Sequence, residues 1–156
     1  GYNGLGDIFV FVYFGIVATM TTYYLNTLEW SSMSFWASVI PGALSTNILV
    51  VNNLRDVAQD KLSGKKTLGV LFGEKALQWE YTLLLALALA IPPHFYFRLD
   101  ASLCIFFPYL SVPLSLKLLV EIWSHQKKST LNGTLEKTAA FMFVYGILFT
   151  IGLLIP

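Results

Sequence analysis

Apolar positions gather into five stretches along the chain, and polar positions collect between them. The stretches run from Ile8 to Leu25, from Phe35 to Val51, from about Ala76 through Ile91, from Leu103 to Val120 and from Ala139 to Ile155. His94 to Phe97 continue the third in apolar character beyond Pro92 and Pro93. Each stretch is long enough, as a helix, for roughly 30 Å of hydrocarbon. The pattern predicts an all-α fold: a polytopic membrane bundle of five transmembrane helices in one domain, residues 1–156.

Local residues refine these spans. Asp7 is placed to cap the first helix, its carboxylate accepting from otherwise unpaired N–H groups. Thr19, Thr21, Thr22, Tyr23 and Tyr24 make the end of that span polar, predicting a face turned toward protein rather than lipid. Pro41-Gly42 predicts a kink in the second span, and the small residues Gly42, Ala43, Ser45 and Thr46 favour close helix packing. Pro92-Pro93 is expected to break the third span, and Pro108 and Pro113 to kink the fourth. Asn47 sits in an apolar run, where its amide needs a partner, either a neighbouring helix or a substrate. His94, beside two prolines and three aromatics, reads as structural or interfacial. Lys117 can extend its amine to the headgroups.

The connector over residues 52–75 interrupts this pattern most sharply. A helix over Leu54–Leu62 is expected to stop at Ser63-Gly64, with Gly64 left-handed. Thr67 is expected to cap a short turn over Leu68–Phe72, closed by Gly73. A second polar connector spans Glu121 to Thr138.

Composition settles the solvent. Of 156 residues, 56% are hydrophobic and 12% charged, with a mean hydropathy of +0.65. Soluble domains carry roughly 25% charged residues, so the bilayer is the expected environment. Cys104, alone in an apolar run, is expected to behave as a small buried hydrophobe; no disulfide can form within the chain. The first apolar run has neither a basic flank nor a small-residue cleavage site, so no signal peptide is expected, and the chain reads as part of something longer. The net charge of +1 says little, but its distribution says more. With five spans, Arg55, Lys61, Lys65, Lys66, Lys75, Lys127, Lys128 and Lys137 fall on one side and only Arg98 on the other. That side is expected to face the cytoplasm, with the protein in the inner (plasma) membrane.

The candidate chemistry lies in the first connector, Asn52-Asn53-Leu54-Arg55-Asp56 through Asp60, Lys61, Gly64, Lys65, Lys66 and Thr67. On a helix, Asp56 and Asp60 project from one face with Cβ atoms about 6 Å apart. Two carboxylates at that spacing repel each other, and a divalent cation or a strong base reverses the sign. Acids and bases together suit a magnesium-bound polyphosphate, the carboxylates holding metal and the cations facing phosphate oxygens. A solvated, salt-bridged helix end would look the same in sequence. Gly64-Lys65-Lys66-Thr67 lacks the spacing and the preceding strand of a phosphate-binding P-loop, which is rejected.

With N-N-x-R-D-x-x-x-D-x-x-x-G-K-x-T between two membrane spans, the chain resembles the UbiA superfamily of intramembrane prenyltransferases. Within it, the chain is similar to the 1,4-dihydroxy-2-naphthoate polyprenyltransferases of menaquinone biosynthesis. Gly4-Leu5-Gly6-Asp7 with Val10 to Gly15, and the Thr67-Leu68 to Gly73 tail, carry the same resemblance. It implies spans five to nine of a nine-helix bundle and the second of two aspartate-rich motifs, the first being absent from these residues. It further implies Asp56 and Asp60 as catalytic ligands of Mg2+, Arg55, Lys61 and Lys65 facing the diphosphate of an allylic prenyl donor, and Asn52 and Asn53 orienting the helix or the acceptor. The implied partners are a polyprenyl diphosphate, an aromatic acceptor, the lipid bilayer, and a missing N-terminal half or a second copy; nucleic acid is not among them. Prenylation of another aromatic acceptor such as 4-hydroxybenzoate, or a catalytically silent membrane scaffold or transporter fragment, are the alternative readings. The hydropathy excludes a soluble prenyl diphosphate synthase.

Overall fold

The computed structural model describes residues 4–125 and 127–156. It contains five long helices and one short one: α1 over Gly6–Thr27, α2 over Ser32–Leu62, the short α3 over Leu68–Phe72, α4 over Glu74–Arg98, α5 over Leu103–Ser124 and α6 over Lys128–Leu154. The long helices run alternately up and down. Asp7 at the start of α1 therefore meets Asn53 near the end of α2, and Ser102 before α5 meets Ile155 after α6 at the opposite end.

Four of the five long helices, α1, α2, α5 and α6, are long and apolar enough to cross a membrane. The fifth, α4, has 25 residues, about 37 Å at 1.5 Å per residue. Its charged first turns and its Pro92-Pro93-His94 segment lower its apolarity. Its position between α2 and α6 compensates: Leu77, Tyr81, Leu85, Ala88, Ile91 and Phe95 form one buried face, at the three- and four-residue spacing of a helix. Against that face lie Ala43, Leu44, Val50, Val51 and Leu54 of α2 and Phe141, Tyr145 and Phe149 of α6.

The expected breaks are mostly absent. Residues 35–62 form no separate span and connector helix; α2 is one helix of 31 residues with Pro41 inside it. At about 46 Å it is longer than the hydrocarbon is thick, so its charged last turns extend beyond. Pro92-Pro93 does not end α4 either. Prolines there leave the carbonyls of Ala88 and Leu89, four residues back, without their helical donors. The hydroxyls of Tyr145 and Tyr109 donate to those two oxygens, each at 2.8 Å. Neighbouring side chains thus replace the missing backbone bonds. In α5, Leu103–Ser111 is a 3-10 helix holding Pro108, and Pro113 stands in the first turn of the α-helical part from Val112. The second polar connector is shorter than expected, because α5 runs to Ser124 and α6 is α-helical from Leu131.

Two further details differ from expectation. α1 contains a π-helical stretch, Phe11–Val17, where a small-residue contact occurs: a Cβ built on Gly15 would stand 2.6 Å from Gly42 Cα. Only Asp7 and Gly15 of α1 are fully buried; in the Thr19–Tyr24 segment Thr19, Tyr23 and Tyr24 are half-buried, while Thr21 and Thr22 are exposed. Cys104 is half-buried rather than buried. The expected stops hold: Gly64 is left-handed at φ 72°, and Thr67 Oγ1 accepts from Val70 N at 3.4 Å at the start of α3. His94 packs its ring on Trp36, centroids 4.3 Å apart.

Candidate functional site

Asp56 and Asp60 stand on the last two turns of α2, where the unpaired carbonyls already make a helix end negative. Two carboxylates there need cations, and the structure supplies one for each. Arg55 Nε and Nη2 donate to Asp56 Oδ1 and Oδ2 at 2.8 and 2.7 Å, a two-pronged pair. Lys65, brought back by the Gly64 turn, donates to Asp60 Oδ1 at 2.7 Å. The Asp60 side chain is 6% exposed and that of Asp56 29%, so the first pair is sheltered and the second open. Lys61 is exposed in the last turn of α2, where a cation offsets the helix dipole.

The two asparagines diverge. Asn52 Oδ1 accepts from Arg55 Nη2 at 2.6 Å, beside the acids. Asn53 is buried and turns the other way, its Nδ2 donating to Asp7 Oδ1 at 3.2 Å. Asp7 therefore does not cap α1: Leu5 precedes the helix, and the Asp7 carboxylate, inside the first turn, holds the helix to α2. Asp7 and Glu80 line one cavity of about 260 Å³ between α1, α2 and α4, with Phe11, Thr46 and Leu84. Asn47 is fully buried, and both polar atoms of its side chain lack partners among the described residues, so no bond ties it to a neighbouring helix.

Other residues at this end carry no motif. Asn132, at the start of α6, accepts from Arg55 Nη1 at 2.9 Å. Lys128 donates to the Leu54 carbonyl at 3.1 Å and pairs with Glu74 at 2.7 Å, and His125 lies 3.4 Å from the same Glu74 oxygen. A polar residue in the turn before an apolar span was their only signal. These contacts bring the end of α2, the start of α4, the end of α5 and the start of α6 together, with Arg55 and Lys128 among them.

Among the described residues no three His, Cys, Asp or Glu side chains form a metal cluster. The donor chemistry nevertheless fits magnesium. That ion takes hard oxygen ligands and commonly uses only one or two carboxylates, with water and phosphate oxygens completing its shell. Asp56 and Asp60 are the residues that could hold it, with Arg55 and Lys65 paired to them.

Comparison with known proteins bears on the family. The model of the UbiA prenyltransferase family matches residues 1–147. The chain is 34% identical over 155 residues to the 1,4-dihydroxy-2-naphthoate octaprenyltransferase of Haemophilus influenzae, covering 99% of this chain and 50% of the relative. Proteins of the same description are 33% identical in Mycobacterium tuberculosis, over 94% of this chain and 49% of the relative, and 31% identical in Escherichia coli, over 98% and 50%. The chain thus spans about half the length of the curated relatives it matches. A family match over nearly every residue, on an all-helical membrane bundle with an N-N-x-R-D-x-x-x-D helix end, means that the chain belongs to the UbiA prenyltransferase family.

Proposed function

We propose that this chain serves transfer of a polyprenyl group from an allylic polyprenyl diphosphate to 1,4-dihydroxy-2-naphthoate in menaquinone biosynthesis. The observation that carries the reading is the acid–base set at the end of α2, Asp56 and Asp60 with Arg55 and Lys65 in contact. The similarity to relatives described as 1,4-dihydroxy-2-naphthoate octaprenyltransferases supports the choice of acceptor. Asp56 and Asp60 would hold magnesium, which when bound neutralises the diphosphate leaving group.

The chain's own residues then do the following. Arg55 and Lys65, released from the carboxylates, face the diphosphate oxygens, with Lys61 nearby in the last turn. Their positive charge stabilises the negative charge that grows as the allylic C–O bond breaks and its electron pair leaves with diphosphate. Asn52 keeps the Arg55 guanidinium on the acidic side of α2. A new C–C bond forms between the allylic carbon and the ring carbon that bears the carboxylate; the C–CO2 bond then breaks, its electron pair restores the aromatic ring, and carbon dioxide leaves. The clustering of basic residues at this end supports a cytoplasmic orientation of residues 52–75 in the inner membrane.

The test is transfer by the complete protein in membranes supplied with magnesium, a polyprenyl diphosphate and 1,4-dihydroxy-2-naphthoate. Product should form, and Asp56→Asn or Asp60→Asn should abolish it while the protein still inserts, since Asn keeps the shape and removes the charge. Near-normal turnover in both variants would favour a salt-bridged helix end instead. Prenylation of 4-hydroxybenzoate in place of the naphthoate would move the protein to another branch of the family.

A further inference from the structure

We infer that Asn132 is a positioning residue for diphosphate binding, acting through Arg55; this rests on the proposed prenyl transfer. A guanidinium has five N–H donors in one plane. Arg55 places Nε and Nη2 on Asp56, Nη2 also on Asn52 Oδ1, and Nη1 on Asn132 Oδ1. Asp56 is its sequence neighbour and Asn52 lies one turn back on the same helix, so any helix with this motif supplies those partners. Asn132 lies 77 positions away on α6. Among the described residues it alone ties the guanidinium by a hydrogen bond to another element of the bundle.

That tie matters once Asp56 is engaged by a cation. Arg55 then loses both bonds of its Nε–Nη2 edge, the edge that matches a carboxylate or a phosphate in a two-pronged fit. Asn52 and Asn132 still hold Nη2 and Nη1, so the freed edge remains where Asp56 was and receives diphosphate oxygens there. Without Asn132, the arginine keeps only its own helix and swings with its long side chain, and the ordering must be supplied by the ligand. A second contact makes this end of α6 a firm support: Lys128 donates to the Leu54 carbonyl, one residue before Arg55, and pairs with Glu74 of α4. Asn132 is exposed in this structure, so truncating it removes an acceptor and no core packing.

The experiment measures binding of inorganic pyrophosphate with magnesium to the complete purified protein by calorimetry, alongside steady-state kinetics. Asn132→Ala should weaken pyrophosphate binding about five- to tenfold, the scale of one ordinary hydrogen bond. It should raise KM for the prenyl diphosphate and leave KM for the aromatic acceptor unchanged. Asn132→Gln, which keeps the amide oxygen, should recover most of the loss. In an Arg55→Ala background, Asn132→Ala should add nothing. Unchanged pyrophosphate binding in Asn132→Ala, or a full additional loss in the Arg55→Ala background, would overturn the inference and leave prenyl transfer standing. An unsubstituted protein that neither binds magnesium pyrophosphate nor transfers a prenyl group would overturn both.

Discussion

At the scale of single residues, the polar groups of this end divide into two sets by direction. Asn52, Arg55 and Asp56 bond one another on the open side of α2, and Asp60 bonds Lys65 in shelter; Asn53 and Asp7 face inward. The inward pair is a hydrogen bond between buried groups, and its loss is asymmetric. Asn53→Leu leaves the Asp7 carboxylate buried without that donor, which costs about 1–3 kcal/mol. Asp7→Asn keeps an oxygen for Asn53 to donate to and removes a buried charge, so it should cost less. The thermal midpoint of the detergent-solubilised protein should therefore fall clearly in Asn53→Leu and less in Asp7→Asn. The reverse order would mean that the bond does not hold α1 to α2. The sequence motif treats Asn52 and Asn53 as equals; only the 100° between successive residues on a helix sends one to the arginine and the other to α1.

At the scale of elements, the fold depends on helices that keep going through residues expected to stop them. α4 carries Pro92 and Pro93 because Tyr145 of α6 and Tyr109 of α5 donate to the carbonyls of Ala88 and Leu89. Removing either hydroxyl strands a carbonyl in an apolar setting, at about 1–3 kcal/mol. Tyr145→Phe and Tyr109→Phe should each speed amide hydrogen exchange in the part of α4 from Ala88 to Arg98 while leaving its first turns protected. Uniform exchange along α4 in both variants would show that the prolines are supported by packing alone. The α1–α2 contact is of another kind. It needs the absence of a side chain at Gly15, because a Cβ there would fall within van der Waals contact of Gly42 and of the Ser38 carbonyl.

At the scale of the whole molecule, α1 lies on the outside of the bundle with two buried residues, and large apolar side chains such as Ile8, Phe9, Phe14 and Leu25 are exposed. Some of that surface suits lipid. Asn47, fully buried in α2, has no hydrogen bond among the described residues. The matched relatives are twice as long as this chain, and two carboxylates on one helix can hold magnesium only loosely and leave it open to water. Residues 1–156 expressed by themselves are therefore expected to show no prenyl transfer. Co-expression with the half of a relative that this chain does not match should restore a measurable rate, through packing of helix faces. Comparable turnover by residues 1–156 alone would mean that this motif suffices, or that two copies build one site.

Hydropathy and one motif were enough to determine the class of solvent, the helical architecture and the family. Each depends on local quantities: apolar run length, residue types at helical spacing. The turn residues Gly64, Thr67 and Gly73 were legible for the same reason, since backbone preference at a turn is set by one or two residues. The extent of α4 was not legible, because a proline's cost depends on which distant hydroxyl reaches the freed carbonyl. Nor were the partners of Asp7, Asn53 and Arg55. Asn132 and Asn53 are ordinary asparagines in the sequence. They acquire roles only when α6 and α1 are packed beside α2, and that packing is decided by the apolar faces of whole helices and not by the polar residues that come to depend on it.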